Sequence, residues 1–127
     1  MNHNQPMNPL CKIRDLQRAI HQFETCLQQQ YGIGLNEAMA LCCLAQKECL
    51  ASGQTGQLLG LTPSNTSKVI ASIERKGYVS RGVGNQDKRQ MYFTLTDKGQ
   101  ELLAAIEKCP PCIPEILRPY ICEENNE

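Results

Sequence analysis

The segment TPSNTSKVIASIERKG, residues 62–77, sets Ser64, Asn65, Ser67 and Lys68 close together near the start of a helical pattern. Short hydroxyl and amide side chains let a helix approach a surface closely, and a lysine beside them supplies charge. A helix fits the major groove of duplex DNA, where base edges present distinct donors and acceptors. Ser64, Asn65, Ser67 and Lys68 are therefore candidates for groove or phosphate contacts, with Asn65 the candidate base reader. The helix N-terminus at Thr62 can hold a phosphate. Standing alone, the same residues would serve equally well as an exposed polar helix face.

A second charged cluster lies in GNQDKRQMYFTLTDKG, residues 84–99. Lys88 and Arg89 give a positive reach suited to a minor groove, whose width and negative potential an arginine reads. Asp87 is a poor phosphate contact, so it is expected to pair with Arg89 or Arg81 and orient the tip; an exposed turn ion pair of little energetic value is the competing account. The chain as a whole has no formal net charge, yet between Thr62 and Lys98 seven basic residues stand against three acidic ones, a local excess of plus four. A positive surface confined to one segment matters more to a phosphate backbone than the overall sum.

Catalytic chemistry finds little support. His3 sits in a loose leader and His21 in a polar helical context, and no glycine-rich phosphate loop or acidic metal constellation is present, so no enzyme and no cofactor is expected. The eight cysteines are many for 127 residues. Most are expected to be reduced thiols, several buried as small hydrophobes. Cys109 and Cys112 form a CxxC, but without a second pair or a neighbouring histidine it predicts no metal site. Cys11, near the start of the first helix, has a setting that favours thiolate. Cys11, Cys109 and Cys112 are thus the redox candidates, and packing is the competing role. Adjacent Cys42 and Cys43 are expected to be one buried and one interfacial residue.

The elements that must position these groups follow from periodicity. Ile13, Leu16, Ile20, Phe23 and Leu27 lie along one stripe of a helix beginning at Leu10. A second helix is expected from an Asn36 cap, burying Met39, Leu41 and Leu44. Ser52 is the expected cap of a short helix ending near Gly60, and Thr62 caps the next, with Pro63 in its first turn. In that helix Thr66, Val69, Ile70 and Ile73 face inward, leaving Ser64, Asn65, Ser67, Lys68 and Ala71 outward; Gly77 ends it. YVSRGVG and MYFTLT read as the two strands of a hairpin with Asp87, Lys88 and Arg89 near its tip. Thr96 or Asp97 caps a last long helix with Leu102, Leu103 and Ile106, which Pro110 and Pro111 interrupt. IPEILRPYI is expected to add a short helix.

Length and composition fit a single globular domain, and neither a membrane span nor a signal peptide is read, so a cytoplasmic protein is expected. LGLTPSNTSKVIASIERKGYVSR followed by DKRQMYFTLTDKG resembles the winged helix-turn-helix transcription regulators of the MarR family, with weaker matching over Leu10 to Lys108. The resemblance implies a mainly α fold with a two-stranded β wing. Residues 10–34 would form an N-terminal dimerisation helix after a leader at 1–9, residues 35–98 the DNA-binding region, and 99–127 the C-terminal dimerisation helices and tail. It further implies a homodimer on a near-palindromic operator in double-stranded DNA, usually as a repressor released by a small-molecule effector, and some members sense oxidants through cysteine. Arg89 of the Asp-x-Arg pair would enter the minor groove. The alternative is a winged-helix module used only for protein association. Two features depart from the family pattern: Thr55-Gly56 stands where Leu-Ala is usual, and CPPCIPEILRPYI is short for the terminal unit.

Overall fold

In the computed structural model, which describes residues 8–83 and 91–122, helices α1 (Pro9–Tyr31) and α2 (Leu35–Lys47) meet at a tight corner. Then come strand β1 (Leu50–Ala51), helices α3 (Ser52–Leu59) and α4 (Pro63–Arg75), strands β2 (Val79–Val83) and β3 (Met91–Leu95), and helix α5 (Asp97–Lys108). A 3₁₀ turn (Glu115–Leu117) runs into the short α6 (Arg118–Ile121). The fold is mainly helical with a small antiparallel sheet in the order β1-β3-β2. The third strand, β1, is the element the sequence reading lacks: two residues, Leu50 opposite Phe93 and Ala51 opposite Tyr92, are too short to show a period. Among the described residues no helix is long and apolar enough to cross a membrane.

The core gathers where α2, α4 and the sheet converge on the end of α1, around Leu27, Ile33, Leu41, Ile73, Val79 and Phe93. Side chains of α5, including Leu102, Leu103 and Ile106, cover its edge. The helix starts show how local chemistry sets boundaries. Asn8 caps α1 by accepting from the Leu10 N–H, and Thr96 caps α5 by accepting from Gly99. Two expected caps move. Helix α2 begins from Gly34, not Asn36, because the Glu37 carboxylate reaches back to the Gly34 N–H at 2.7 Å. Helix α3 begins from Ala51, not Ser52, because Gln54 does the same for Ala51 at 2.8 Å.

Three expectations about burial change. Met39 lies on the exposed side of α2 at 36 % exposure, its inward place taken by Ala40. No cysteine is fully buried: Cys11, Cys26 and Cys43 are half-buried and the other five exposed. Cys43 is the inward member of the adjacent pair, packed against the core, while Cys42 is exposed. Along α1, Leu27 and Ala19 are buried but Leu10, Ile13 and Ile20 are open to solvent, as are Ile116, Tyr120 and Ile121 at the other terminus. The 3₁₀ turn lies against the middle of α1, bordering a cleft of about 750 Å³ lined by Arg14 to Gln22 on one side and Pro114 to Ile116 on the other.

Candidate nucleic-acid interface

Helices α3 and α4 form a tight pair because three local features agree. Gly60 takes φ +71°, a left-handed conformation that favours glycine, and turns the chain at the end of α3. The Leu61 N–H donates to the Gly56 carbonyl at 2.9 Å, closing the turn. Thr62 then starts α4: its hydroxyl accepts from the Asn65 N–H at 3.2 Å, and Pro63 occupies the first position, where its missing N–H costs nothing. Gly56 faces Thr66 so closely that a Cβ there would stand 2.6 Å from the Thr66 Oγ1. The absent side chain at position 56 is what lets the two helices approach.

Helix α4 buries Thr66, Ile70 and Ile73 and turns Ser64, Asn65, Ser67, Lys68 and Ala71 to solvent, with Thr62 exposed at its head. The structure therefore brings Thr62, Ser64, Asn65, Ser67 and Lys68 onto one open surface. Arg75 extends it. Spaced four residues from Ala71 and seven from Lys68, it is exposed on the same stripe, and neither Lys68 nor Arg75 forms an ion pair with another described residue. That spacing was available to sequence reasoning, which nonetheless omitted Arg75. Lys76, the next residue, turns away from the stripe to pair with Glu37 at 3.0 Å.

Among the described residues, Arg81 pairs with Glu74. Its Nε and a terminal nitrogen donate to the two oxygens of Glu74 at 2.8 and 2.6 Å, and its guanidinium lies 5.5 Å from the centre of the Phe93 ring. The hydrogen bonds from Arg81 hold the Glu74 carboxyl below its ordinary pKa, and Glu74 raises that of Arg81. The pair ties β2 to the last turn of α4, so Arg81 orients the base of the hairpin against the helix. Asp87, Lys88 and Arg89 lie outside the described residues.

Of the cysteine candidates, Cys11 and Cys109 lie near opposite ends of α1, and Cys112 is exposed beyond α5. Cys109 ends α5 beside the last turn of α1, where Gln30 Nε2 donates to its carbonyl at 3.2 Å and Tyr31 donates to the Ala105 carbonyl at 2.9 Å. Cys11 sits near the opposite end of α1, about 28 Å away along the helix axis from Gln30. A bond between Cys11 and Cys109 of one chain does not fit this geometry. Among the described residues no group of three His, Cys, Asp or Glu side chains is arranged to hold a metal.

Residues 33–91, from the α1–α2 corner to the first residue of β3, match the model of the MarR family. Over 82 residues the chain is 30% identical to the transcriptional repressor MprA of Escherichia coli, covering 61% of this chain and 46% of that protein. Over 59 residues it is 36% identical to a riboflavin kinase of Thermoplasma volcanium, covering 46% of this chain but only 26% of the enzyme. The chain spans less than half the length of these curated relatives. Its backbone resembles that of Staphylococcus aureus MepR, solved as a DNA complex, with a TM-score of 0.73 at 23% identity, over 81% of this chain and 77% of that one. The tight α3–α4 pair, the open polar stripe on α4 and strand β2 behind it occur together in the segment that matches the family model, and over that segment the chain is similar to the MarR family, with a winged helix-turn-helix fold.

Proposed function

We propose that this protein is a DNA-binding transcriptional repressor that acts as a dimer. The observation that carries the reading is the open stripe of α4: short polar side chains at the capped N-terminus followed by Lys68 and Arg75, none of them spent on contacts that the fold needs. Ser64, Asn65 and Ser67 enter the major groove, Thr62 and Lys68 engage phosphates, and Arg75 follows the backbone beyond them. Lys88 and Arg89 reach an adjacent minor groove, with Arg81 and Asp87 orienting the hairpin that carries them. The similarity to the repressor MprA and to the DNA-bound MepR supports this assignment. The exposed apolar residues at the two chain ends, Leu10, Ile13 and Ile20 with Ile116 and Ile121, form the dimer surface. A small molecule or oxidation releases the operator.

Fluorescence anisotropy against duplexes selected by the protein from a randomised pool tests the reading. Wild type is expected to bind selectively and more weakly as salt rises. Asn65→Ala is expected to cost about 1–3 kcal/mol of discrimination at one base position. Lys68→Ala should weaken binding to all sequences alike and reduce the salt slope by about one. If no duplex is retained even at low salt, the fold serves protein association instead.

A further inference from the structure

At the α1–α2 corner one carboxylate has more partners than a helix cap requires. Glu37 accepts from the Gly34 N–H at 2.7 Å, which alone would close the start of α2. Both of its oxygens also accept from Lys76 Nζ, at 3.0 and 3.2 Å, and the same ammonium donates to the Gly32 carbonyl at 3.2 Å. Lys76 is the residue that closes α4. Its own carbonyl accepts from Lys98 Nζ in the first turn of α5 at 2.9 Å. On the other side of the corner, Glu24 of α1 accepts from the Leu35 N–H at 3.1 Å. A continuous set of polar contacts thus runs from α1, across the corner, to the C-terminal end of α4 and on to α5.

The two ends of α4 are held by different means. Its N-terminal turn packs on α3 through Gly56 and Thr66, a close steric contact. Its C-terminal end is held to β2 by the Glu74–Arg81 pair and to the corner by Lys76, whose side chain is 32% exposed while that of Glu37 is 12% exposed. Two anchor points define the direction of a rod. The exposed stripe from Ser64 to Arg75 points wherever those anchors send it.

We propose that Glu37 and Lys76 are positioning residues for DNA recognition: their pairing fixes the angle of α4 against the body of the protein, although the pair is turned away from the recognition stripe. The inference rests on the DNA-binding reading of α4. It assigns Lys76 a role opposite to that of Lys68 and Arg75, since its charge serves Glu37 and the Gly32 carbonyl instead of a phosphate.

Two substitutions separate these roles. Glu37→Gln keeps an oxygen for the Gly34 N–H but removes the charge that holds Lys76, and Lys76→Met keeps the aliphatic stem but removes the ammonium. The probe is the duplex that wild type selects from a randomised pool, and circular dichroism confirms that each variant is folded at the assay temperature. Both variants are expected to bind about tenfold more weakly with an unchanged salt slope, and the double variant no more weakly than either alone. In the free protein, both should speed amide exchange in the last turn of α4, a readout that needs no DNA. If Lys76→Met lowers both affinity and salt slope while Glu37→Gln leaves affinity equal or higher, Lys76 is a phosphate contact and the proposal fails. Wild-type affinity in both variants overturns it as well. Wild type that binds no duplex at low salt overturns the DNA reading and this role together, whereas faster exchange without weaker binding overturns the positioning role alone.

Discussion

A methyl group at position 56 would stand 2.6 Å from the Thr66 hydroxyl, and that hydroxyl is not free to rotate, because it donates to the Thr62 carbonyl at 2.8 Å in a buried site. Helix propensity favours alanine over glycine by about 1 kcal/mol, while overpacking costs about 1–3 kcal/mol. Gly56→Ala is therefore expected to lower stability in urea titrations, and Gly56→Ala combined with Thr66→Ala to recover part of the loss. An additive double variant would show that the two positions do not touch. Glu37 offers a second test at this scale. Burial alone would raise its carboxyl; the Ser72 hydroxyl, the Gly34 N–H and the Lys76 ammonium together outweigh burial and hold it below its ordinary value. A depressed carboxyl stabilises the fold fully above its unfolded pKa, about 4.3, and that contribution is lost as pH falls through the lower folded value. The stability difference between wild type and Glu37→Gln should thus be largest near neutral pH and shrink below pH about 4.

At the scale of elements, α4 depends on its first turn. Thr62 supplies the acceptor for the Asn65 N–H, and its carbonyl takes both the N–H and the hydroxyl of Thr66. Thr62→Ala should cost about 1 kcal/mol, measured by chemical denaturation, the usual loss for a threonine cap. Most of these boundaries were legible in the sequence: Thr62 and Pro63 before the apolar stripe, Gly60 and Gly77 at positive φ, and Thr96 before α5. The boundaries that were not, at Gly34 and Ala51, are closed by side chains reaching back from Glu37 and Gln54. Asn36 and Ser52 had the composition of caps, but the fold placed each inside the helix it was expected to precede. The strand β1 escaped notice for another reason: its only signature is its partner, since Leu50 and Ala51 become a strand by pairing with Phe93 and Tyr92.

Across the whole molecule, the apolar stripe of α1 divides into two parts. Leu27 and Ala19 complete the core, whereas Leu10 at 73% exposure, Ile13 at 51% and Ile20 at 42% are left uncovered by the other described residues. If a second copy covers them, Ile13→Glu should give a folded monomer by sedimentation velocity and weaken operator binding, because one half-site remains per protein. Unchanged sedimentation would remove Ile13 from the dimer surface. The same scale decides which charges are available to a partner. Of the basic residues closing α4, Arg75 stays on the open stripe, and Lys76 is drawn to a carboxylate 39 residues earlier in the chain.

By itself the sequence determined the features that depend on neighbours within a turn or two: the helix periods, the turn glycines, the Thr62 cap, the start of α5 to within Thr96 or Asp97, the two hairpin strands and the outward face carrying Ser64, Asn65, Ser67 and Lys68. Side-chain direction in a helix follows from spacing alone, so that face could be assigned before any contact was known. Only the tertiary structure decided that Arg81 binds Glu74, that Lys76 binds Glu37, that Leu50 pairs with Phe93 and that Met39 stays outside the core. The physical reason is common to all four. An ion pair, a strand ladder or a burial is settled by which surfaces the packed chain brings within reach, and no local period carries that information.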